Sequence, residues 1–214
     1  MTGYFITLEG GEGTGKTTLL RALAAALGAR GREVLVTREP GGAPLAEAIR
    51  ALLLSPASTG MTAACELLLY EAARAEHCAA QIVPALGRGA IVLCDRFTDA
   101  TLAYQGYARG MAIDWIEALN RFAAAGCEPT LTLLLDMPVA AGQARLRQRL
   151  VDDPLLAAES RLDQEALDFH ERVRAAYLHI AQENPDRVVV LNAEDSPETI
   201  AAKALQILRE RLSL

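Results

Sequence analysis

Short runs of apolar, β-favouring residues punctuate the chain at residues 4–8, 33–37, 90–94, 130–135 and 187–191. Between them apolar residues recur at three- and four-residue spacing, the period of a helix with one face on a core. Leu19, Leu20, Leu23 and Leu27 mark the first such stretch, and Leu45, Ala48, Ile49, Leu52 and Leu53 the second, which Pro44 opens. Further helical patterns cover about 62–86, 98–104 and 114–125; one starting at Pro138 holds Arg145, Arg147 and Arg149, and another runs to about Glu183. In the last, Ser196 caps, Pro197 takes the first helical position, and Ile200, Ala204, Ile207 and Leu208 face inward. The runs 90–94 and 130–135 are nearly continuous in apolar character, as in strands covered on both faces. Strands alternating with helices predict an α/β fold: a five-stranded parallel sheet with helices on both faces and right-handed crossovers, in one domain over residues 1–214.

In such a sheet, ligands bind at the carboxyl ends of the strands, so the residues just past the apolar runs carry the chemistry. After the first run comes Gly10-Gly11-Glu12-Gly13-Thr14-Gly15-Lys16-Thr17, which fits G-x-x-x-x-G-K-[ST] between a strand and a helix. Glycines let successive N–H groups converge, and the following helix aims its positive end at the same point. A polyphosphate fits that nest: Lys16 reaches the outer phosphates, and the Thr17 hydroxyl can sit on Mg²⁺. Gly10, Gly11, Glu12, Gly13, Thr14, Gly15, Lys16, Thr17 and Thr18 are therefore the expected site for the phosphates of a nucleoside triphosphate. Asp95, after the third run, has the position of a carboxylate that holds Mg²⁺ directly or through water, or else of a helix cap. Arg96 beside it, and Arg38 after the second run, suit a phosphate monoester, which carries nearly two charges at neutral pH.

Charge and composition narrow the partners. A formal net charge of −6 argues against binding a nucleic-acid polymer, because that affinity rests on neutralising many phosphates. All 21 basic residues except Lys16 and Lys203 are arginines, so an arginine counts only by its position. Cys65, Cys78, Cys94 and Cys127 lie far apart without a C-x-x-C pair, and His77, His170 and His179 form no ligand motif, so reduced packing thiols and no zinc site are expected. There is neither a basic-then-apolar N-terminal leader nor a run of twenty apolar residues, which points to a cytoplasmic protein with no membrane partner. A GTP-dependent switch would need an N-K-x-D segment, and none is present.

Several segments in this order resemble bacterial thymidylate kinase: Phe5-Ile6-Thr7-Leu8-Glu9-Gly10 leading into the phosphate loop, Thr37-Arg38-Glu39-Pro40-Gly41-Gly42, Asp95-Arg96-Phe97, Ala103-Tyr104-Gln105-Gly106-Tyr107-Ala108-Arg109-Gly110, and Arg161-Leu162-Asp163-Gln164-Glu165. The resemblance implies a P-loop nucleoside triphosphate hydrolase type of fold with a small lid at about 150–161. It also implies transfer of the γ-phosphoryl group of ATP to dTMP, giving dTDP and ADP for dTTP synthesis, with Mg²⁺ and in a homodimer. By position it gives Glu12 to the acceptor sugar 3′-hydroxyl. Arg38 and Arg96, with Arg50 close by, go to the dTMP phosphate, in an acceptor site that includes Pro40 and Phe97. Tyr70, where the family more often has phenylalanine, would stack on thymine, and Arg74 would hydrogen-bond a base carbonyl. Thr101, Tyr104 and Gln105, at i, i+3 and i+4, would present one helical face to the cleft, with Gln105 reading the N3–H and O4 edge. In the lid, Arg149 is the expected arginine closing over the γ-phosphate, although Arg145, Arg147, Arg149 and Arg161 also suit a solvated helix face. A nucleoside kinase, with a neutral acceptor, would leave Arg38 and Arg96 without a partner.

Overall fold

β1 (Tyr4–Glu9), β2 (Val34–Arg38), β3 (Ile91–Asp95), β4 (Leu131–Asp136) and β5 (Val188–Asn192) form one sheet in the order β2-β3-β1-β4-β5. Every pairing is parallel. The computed structural model describes residues 3–152, 162 and 165–214. Each strand runs one residue past its apolar run and ends on a polar residue: Glu9, Arg38, Asp95, Asp136 or Asn192. Hydropathy stops at that residue but the ladder does not, since Leu8 and Arg38 both pair with Asp95, and Asp136 pairs with Asn192. β1 lies between β3 and β4, so the chain reverses direction across the sheet there and opens a crevice at the carboxyl ends.

Strand side chains alternate between the two faces. Ile6, Leu8, Ile91, Leu93, Leu131 and Leu133 pack under α1 (Lys16–Gly28) and α9 (Pro197–Leu212), where Leu19, Leu20, Leu23, Leu27, Ala204 and Leu208 complete a buried core. On the other face, Phe5, Val92 and Cys94 pack against Cys78 and Ile82, while Leu134 and Val188 pack against α8 (Leu167–Glu183) through Phe169, Val173, Tyr177 and Ile180. Between these two apolar clusters runs a polar seam. Thr7 and Thr132, cross-strand partners, share a 2.8 Å hydrogen bond, and Arg187 donates to Thr132 at 2.8 Å and to both Asp99 oxygens at 2.7 and 2.9 Å. The buried Asp99 is thus satisfied by a guanidinium that stays partly exposed.

α2 (Pro44–Leu54) departs from its sequence pattern. It buries Ala46 and Leu53, whereas Leu45, Ala48 and Leu52 are exposed. The contact it makes with α3 (Ala63–His77) is built on Ala43, Ala46 and Ala73, small residues that let the helices approach on a different face from the one with the largest side chains. α3 continues through a π-helical stretch, Cys78–Ile82, into α4 (Val83–Gly87). A second π stretch, Leu102–Ala108, follows α5 (Thr98–Thr101) and precedes α6 (Ile113–Ala124). α7 (Val139–Asp152) runs into the lid region expected from sequence at about 150–161, of which 153–161 lie outside the described residues. As expected, Ser196 caps α9, accepting from the Thr199 N–H at 3.2 Å. All four cysteines are free, three of them buried in packing positions. Among the described residues, no helix is long and apolar enough to cross a membrane.

Candidate active site

The loop between β1 and α1 is shaped by close packing as well as by φ. Gly13 has a φ of 70°, and a Cβ there would overlap the carbonyl oxygen of Gly142 on α7; a Cβ on Gly142 would in turn overlap the carbonyl of Glu12. Only two glycines allow this loop and this helix to touch backbone to backbone. Gly15, with a φ of 93°, turns the chain into α1. Lys16 folds back over the loop and donates to the carbonyls of Gly10 at 3.0 Å and Gly11 at 2.7 Å, while Thr14 donates to Gly11 at 3.0 Å. Burial pushes the Lys16 pKa down, with the neighbouring Arg96 acting in the same sense. The Thr17 hydroxyl donates to Asp95 Oδ2 at 3.3 Å, which joins the start of α1 to the end of β3.

Arg96 follows β3 at a φ of 69°, a left-handed conformation rare for a side chain of this size. Its backbone N–H is held by the carbonyl of Leu8 at 2.9 Å. The guanidinium enters the cleft, where Nη2 donates to Glu12 at 2.5 Å and Nη1 to Tyr104 at 2.8 Å and Tyr177 at 3.4 Å. Tyr104 also donates to Glu12 at 3.1 Å, so the acidic residue of the phosphate loop has both a cationic and a hydroxyl partner. Burial alone would raise the Glu12 pKa, but Arg96, Lys16 and the Tyr104 hydroxyl outweigh it and pull the carboxyl down to about 2. Glu9 lies deeper. It accepts from the Phe97 N–H at 2.7 Å and from Tyr177 at 2.8 Å, and burial, reinforced by Asp99, pushes its pKa up to about 8.

At the cleft mouth Arg38 is held by both oxygens of Glu47, at 2.9 and 3.0 Å, and remains half exposed. Arg50 donates to the carbonyl of Pro40 at 2.8 Å, and burial together with Arg38 lowers its pKa. It is thus part of the wall and not a solvated helix-surface residue. Arg38, Pro40, Arg50, Tyr70, Arg74, Arg96, Phe97, Thr101, Tyr104 and Gln105 all line one cavity of about 890 Å³ with Glu12–Thr18 of the loop and Asp95. Gly10 and Gly11 sit behind it and supply carbonyls to Lys16.

Two residues expected to read the base have their donors engaged by protein partners. Arg74 is fully buried, and each of its five N–H groups has a partner: Glu39, Glu71, Asn120, the carbonyl of Phe97 and the Thr101 hydroxyl, at 2.6–3.2 Å. No free donor is left to face a base. Gln105 is 1% exposed and donates to Glu66 at 2.8 Å. The helix widens to π geometry from Leu102, yet Gln105 still lines the cavity with its amide nitrogen engaged by Glu66. Thr101, Tyr104 and Gln105 all keep cleft positions. The Arg149 side chain and all of Arg161, Asp163 and Gln164 lie outside the described residues.

At its far end the cavity is lined by Arg145, Leu146, Asp195, Pro197 and Ile200, which the sequence reading did not single out as binding residues. Arg145 is anchored by the carbonyl of Ala193 at 2.8 Å. The turn after β5 is also a strand carboxyl end, so the rule that selected Asp95 would have selected Asp195 too.

Comparison with known proteins agrees with this geometry. The family model described as thymidylate kinase matches residues 8–204. A thymidylate kinase of Geobacter sulfurreducens is 49% identical over 210 residues, covering 98% of both chains. Another, from Pseudomonas putida, is 52% identical over 200 residues, covering 94% of this chain and 92% of its own. The solved structure of thymidylate kinase from Ehrlichia chaffeensis superimposes with a TM-score of 0.79 at 32% identity, covering 97% of this chain and all of that one. A phosphate loop facing a cluster of arginines across one cleft, and relatives alike along nearly the whole length, lead to one assignment: the chain belongs to the thymidylate kinase family.

Proposed function

We propose that this cleft divides the chain's reaction, ATP-dependent phosphorylation of dTMP to dTDP, between a donor half on the phosphate loop and an acceptor half around Arg96. The observation that carries this reading is the continuous cavity joining Glu12–Thr18 to Arg38, Arg50 and Arg96. In the donor half, the loop amides and Lys16 hold the ATP phosphates, Lys16 exchanging the carbonyls of Gly10 and Gly11 for phosphate oxygens. In the acceptor half, Arg96, Arg38 and Arg50 receive the dTMP phosphate, Glu12 faces the sugar, and Tyr70 stacks on the base. Arg74 acts on base recognition through Thr101, whose hydroxyl accepts from Arg74 at 2.9 Å and so has its own proton to give.

The dTMP phosphate is itself the nucleophile. A dianion needs no strong base, so transfer is in line, without a covalent enzyme intermediate, and the protein supplies position and charge. Thr17 and Asp95, one hydroxyl and one carboxylate 3.3 Å apart beside the loop, would hold a Mg²⁺, which would supply neutralisation of phosphate charge. Arg149 is assigned to the lid, closing over the γ-phosphate and excluding water. If so, Arg149→Ala lowers kcat more than Arg147→Ala does; equal losses overturn that assignment.

We also read the chain as a cytoplasmic homodimer without nucleic-acid or membrane partners. The dimer reading is supported by Leu68 on α3 and by Trp115 and Phe122 one above the other on α6, which are 58%, 72% and 84% exposed. Sedimentation of Trp115→Glu tests it: a monomer is expected, against a dimeric unsubstituted chain. The reaction is tested by ADP release with ATP and each of dTMP, dUMP, dCMP, AMP and GMP. Dominance of any acceptor other than dTMP overturns the acceptor assignment and leaves a nucleoside monophosphate kinase.

A further inference from the structure

We infer that Glu9 and Tyr177 form a positioning relay that fixes Arg96 for the acceptor phosphate, an inference that rests on the acceptor role given to Arg96 above. Glu9 closes β1 and is immediately followed by the phosphate loop, whereas Tyr177 projects from α8, 168 residues further on. Both are almost completely buried, and neither lines the cleft cavity. One carboxyl oxygen of Glu9 accepts the N–H of Phe97, the residue after Arg96, at 2.7 Å; the other accepts the Tyr177 hydroxyl proton at 2.8 Å. That second bond sets the polarity of the phenol. With its proton given to Glu9, Tyr177 turns a lone pair toward Arg96 Nη1, which lies 3.4 Å away and also donates to Tyr104. Glu9 thus holds Arg96 twice, through the adjacent backbone and through the phenol.

The backbone hold matters because Arg96 sits at a φ of 69°, a conformation that the surroundings must impose. The charged groups around Glu9 are Asp99 and Arg96, with Asp99 itself paired to Arg187. Glu9→Gln is an isosteric test of the relay. The amide oxygen still accepts from Phe97, but the NH₂ now donates to Tyr177, so the phenolic proton must turn toward the guanidinium and repel it. Tyr177→Phe removes the hydroxyl altogether.

The test is steady-state kinetics at about pH 9, where the Glu9 carboxyl is ionised, with thermal melting of each variant alongside. Glu9→Gln and Tyr177→Phe are each expected to raise KM for dTMP about tenfold, the size of one charge-assisted hydrogen bond, with KM for ATP within about twofold. The double variant is expected to match Tyr177→Phe alone, because Glu9 acts through the phenol. Equal rises in both KM values, additive effects in the double variant, or unchanged KM for dTMP would each overturn the relay. An unsubstituted chain that does not phosphorylate dTMP would instead overturn the acceptor reading itself, so the two failures are distinguishable.

Discussion

Nη2 of Arg96 donates to Oε1 of Glu12 at 2.5 Å, tying the end of β3 to the phosphate loop across 84 residues of sequence. The pair is partly exposed, 16% and 26%, and it spans the cleft from the phosphate loop to the residue after β3. Its pH dependence follows from the Glu12 carboxyl, lowered from 4.5 to about 2 in the folded chain. A carboxyl with a depressed folded value adds stability above its unfolded value and loses it as the pH falls through the folded one. Glu12 therefore contributes fully above about pH 4.5 and progressively less toward pH 2. Urea unfolding at pH 7 is expected to show Glu12→Gln less stable by about 2 kcal/mol, the scale of a hydrogen bond to a charged group. At pH 3 the difference should shrink, and an equal gap at both pH values would show that the charge pair is not its source.

Lys16 gives a second prediction. Its ammonium is buried on the carbonyls of Gly10 and Gly11, and a substrate phosphate offers it a full negative charge in their place. Replacing it by methionine keeps the length of the side chain and removes the charge. Single-turnover quench measurements are expected to show phosphoryl transfer slowed by about 10²–10³-fold, the usual cost of one preorganised donor. KM for dTMP should change little, since Lys16 is on the donor side. A variant with normal chemistry and a raised KM for ATP only would make Lys16 a ground-state contact.

Asp95 and Thr17 are coupled by their 3.3 Å hydrogen bond, so their substitutions should act on the same quantity. Asp95→Asn and Thr17→Ala are each expected to raise the Mg²⁺ concentration for half-maximal activity about 10–100-fold, the range for metal-site partners. Titration of Mg²⁺ at fixed ATP and dTMP measures it. Lower activity that no Mg²⁺ concentration restores would place these residues in some other part of the reaction.

The fold was legible in the sequence because each strand is an apolar run and each flanking helix carries its period. What hydropathy hid was the last residue of every strand. Glu9, Arg38, Asp95, Asp136 and Asn192 are polar yet still in the ladder, and two of them, Arg38 and Asp95, line the cleft. Glu9 was hidden for another reason: a carboxyl followed by glycine reads as the start of a turn, and its partners Phe97 and Tyr177 come from distant elements. The role of Arg74 was visible only in part. Tyr70 and Arg74 lie four apart on α3, but nothing local shows that Glu39, Asn120 and Thr101 converge on the guanidinium. The partner of Gln105 was hidden in the same way, because Glu66 comes from α3, and the π geometry from Leu102 has no hydrophobic period of its own.

Arg74 supplies the last prediction, because it separates a residue that builds the base site from one that touches the base. Its guanidinium is buried and raised in pKa: burial opposes the charge, but Glu39 and Glu71 outweigh it. Removing it leaves two buried carboxylates, the Asn120 oxygen and the Phe97 carbonyl without their donor. Arg74→Ala should therefore cost about 3–5 kcal/mol, as breaking a buried pair does. For a chain of this size that lowers Tm by about 10 °C. Arg74→Lys should recover little of it, since an ammonium has three donors on one nitrogen and cannot span five partners held by a planar fork. Melting curves of both variants, read with dTMP affinity, decide the matter. If Arg74→Lys melted like the unsubstituted chain while losing dTMP affinity, Arg74 would be a direct base contact; a shared fall in Tm, with affinity lost in proportion, makes it the residue that holds Thr101 and the Asp95–Phe97 turn in place.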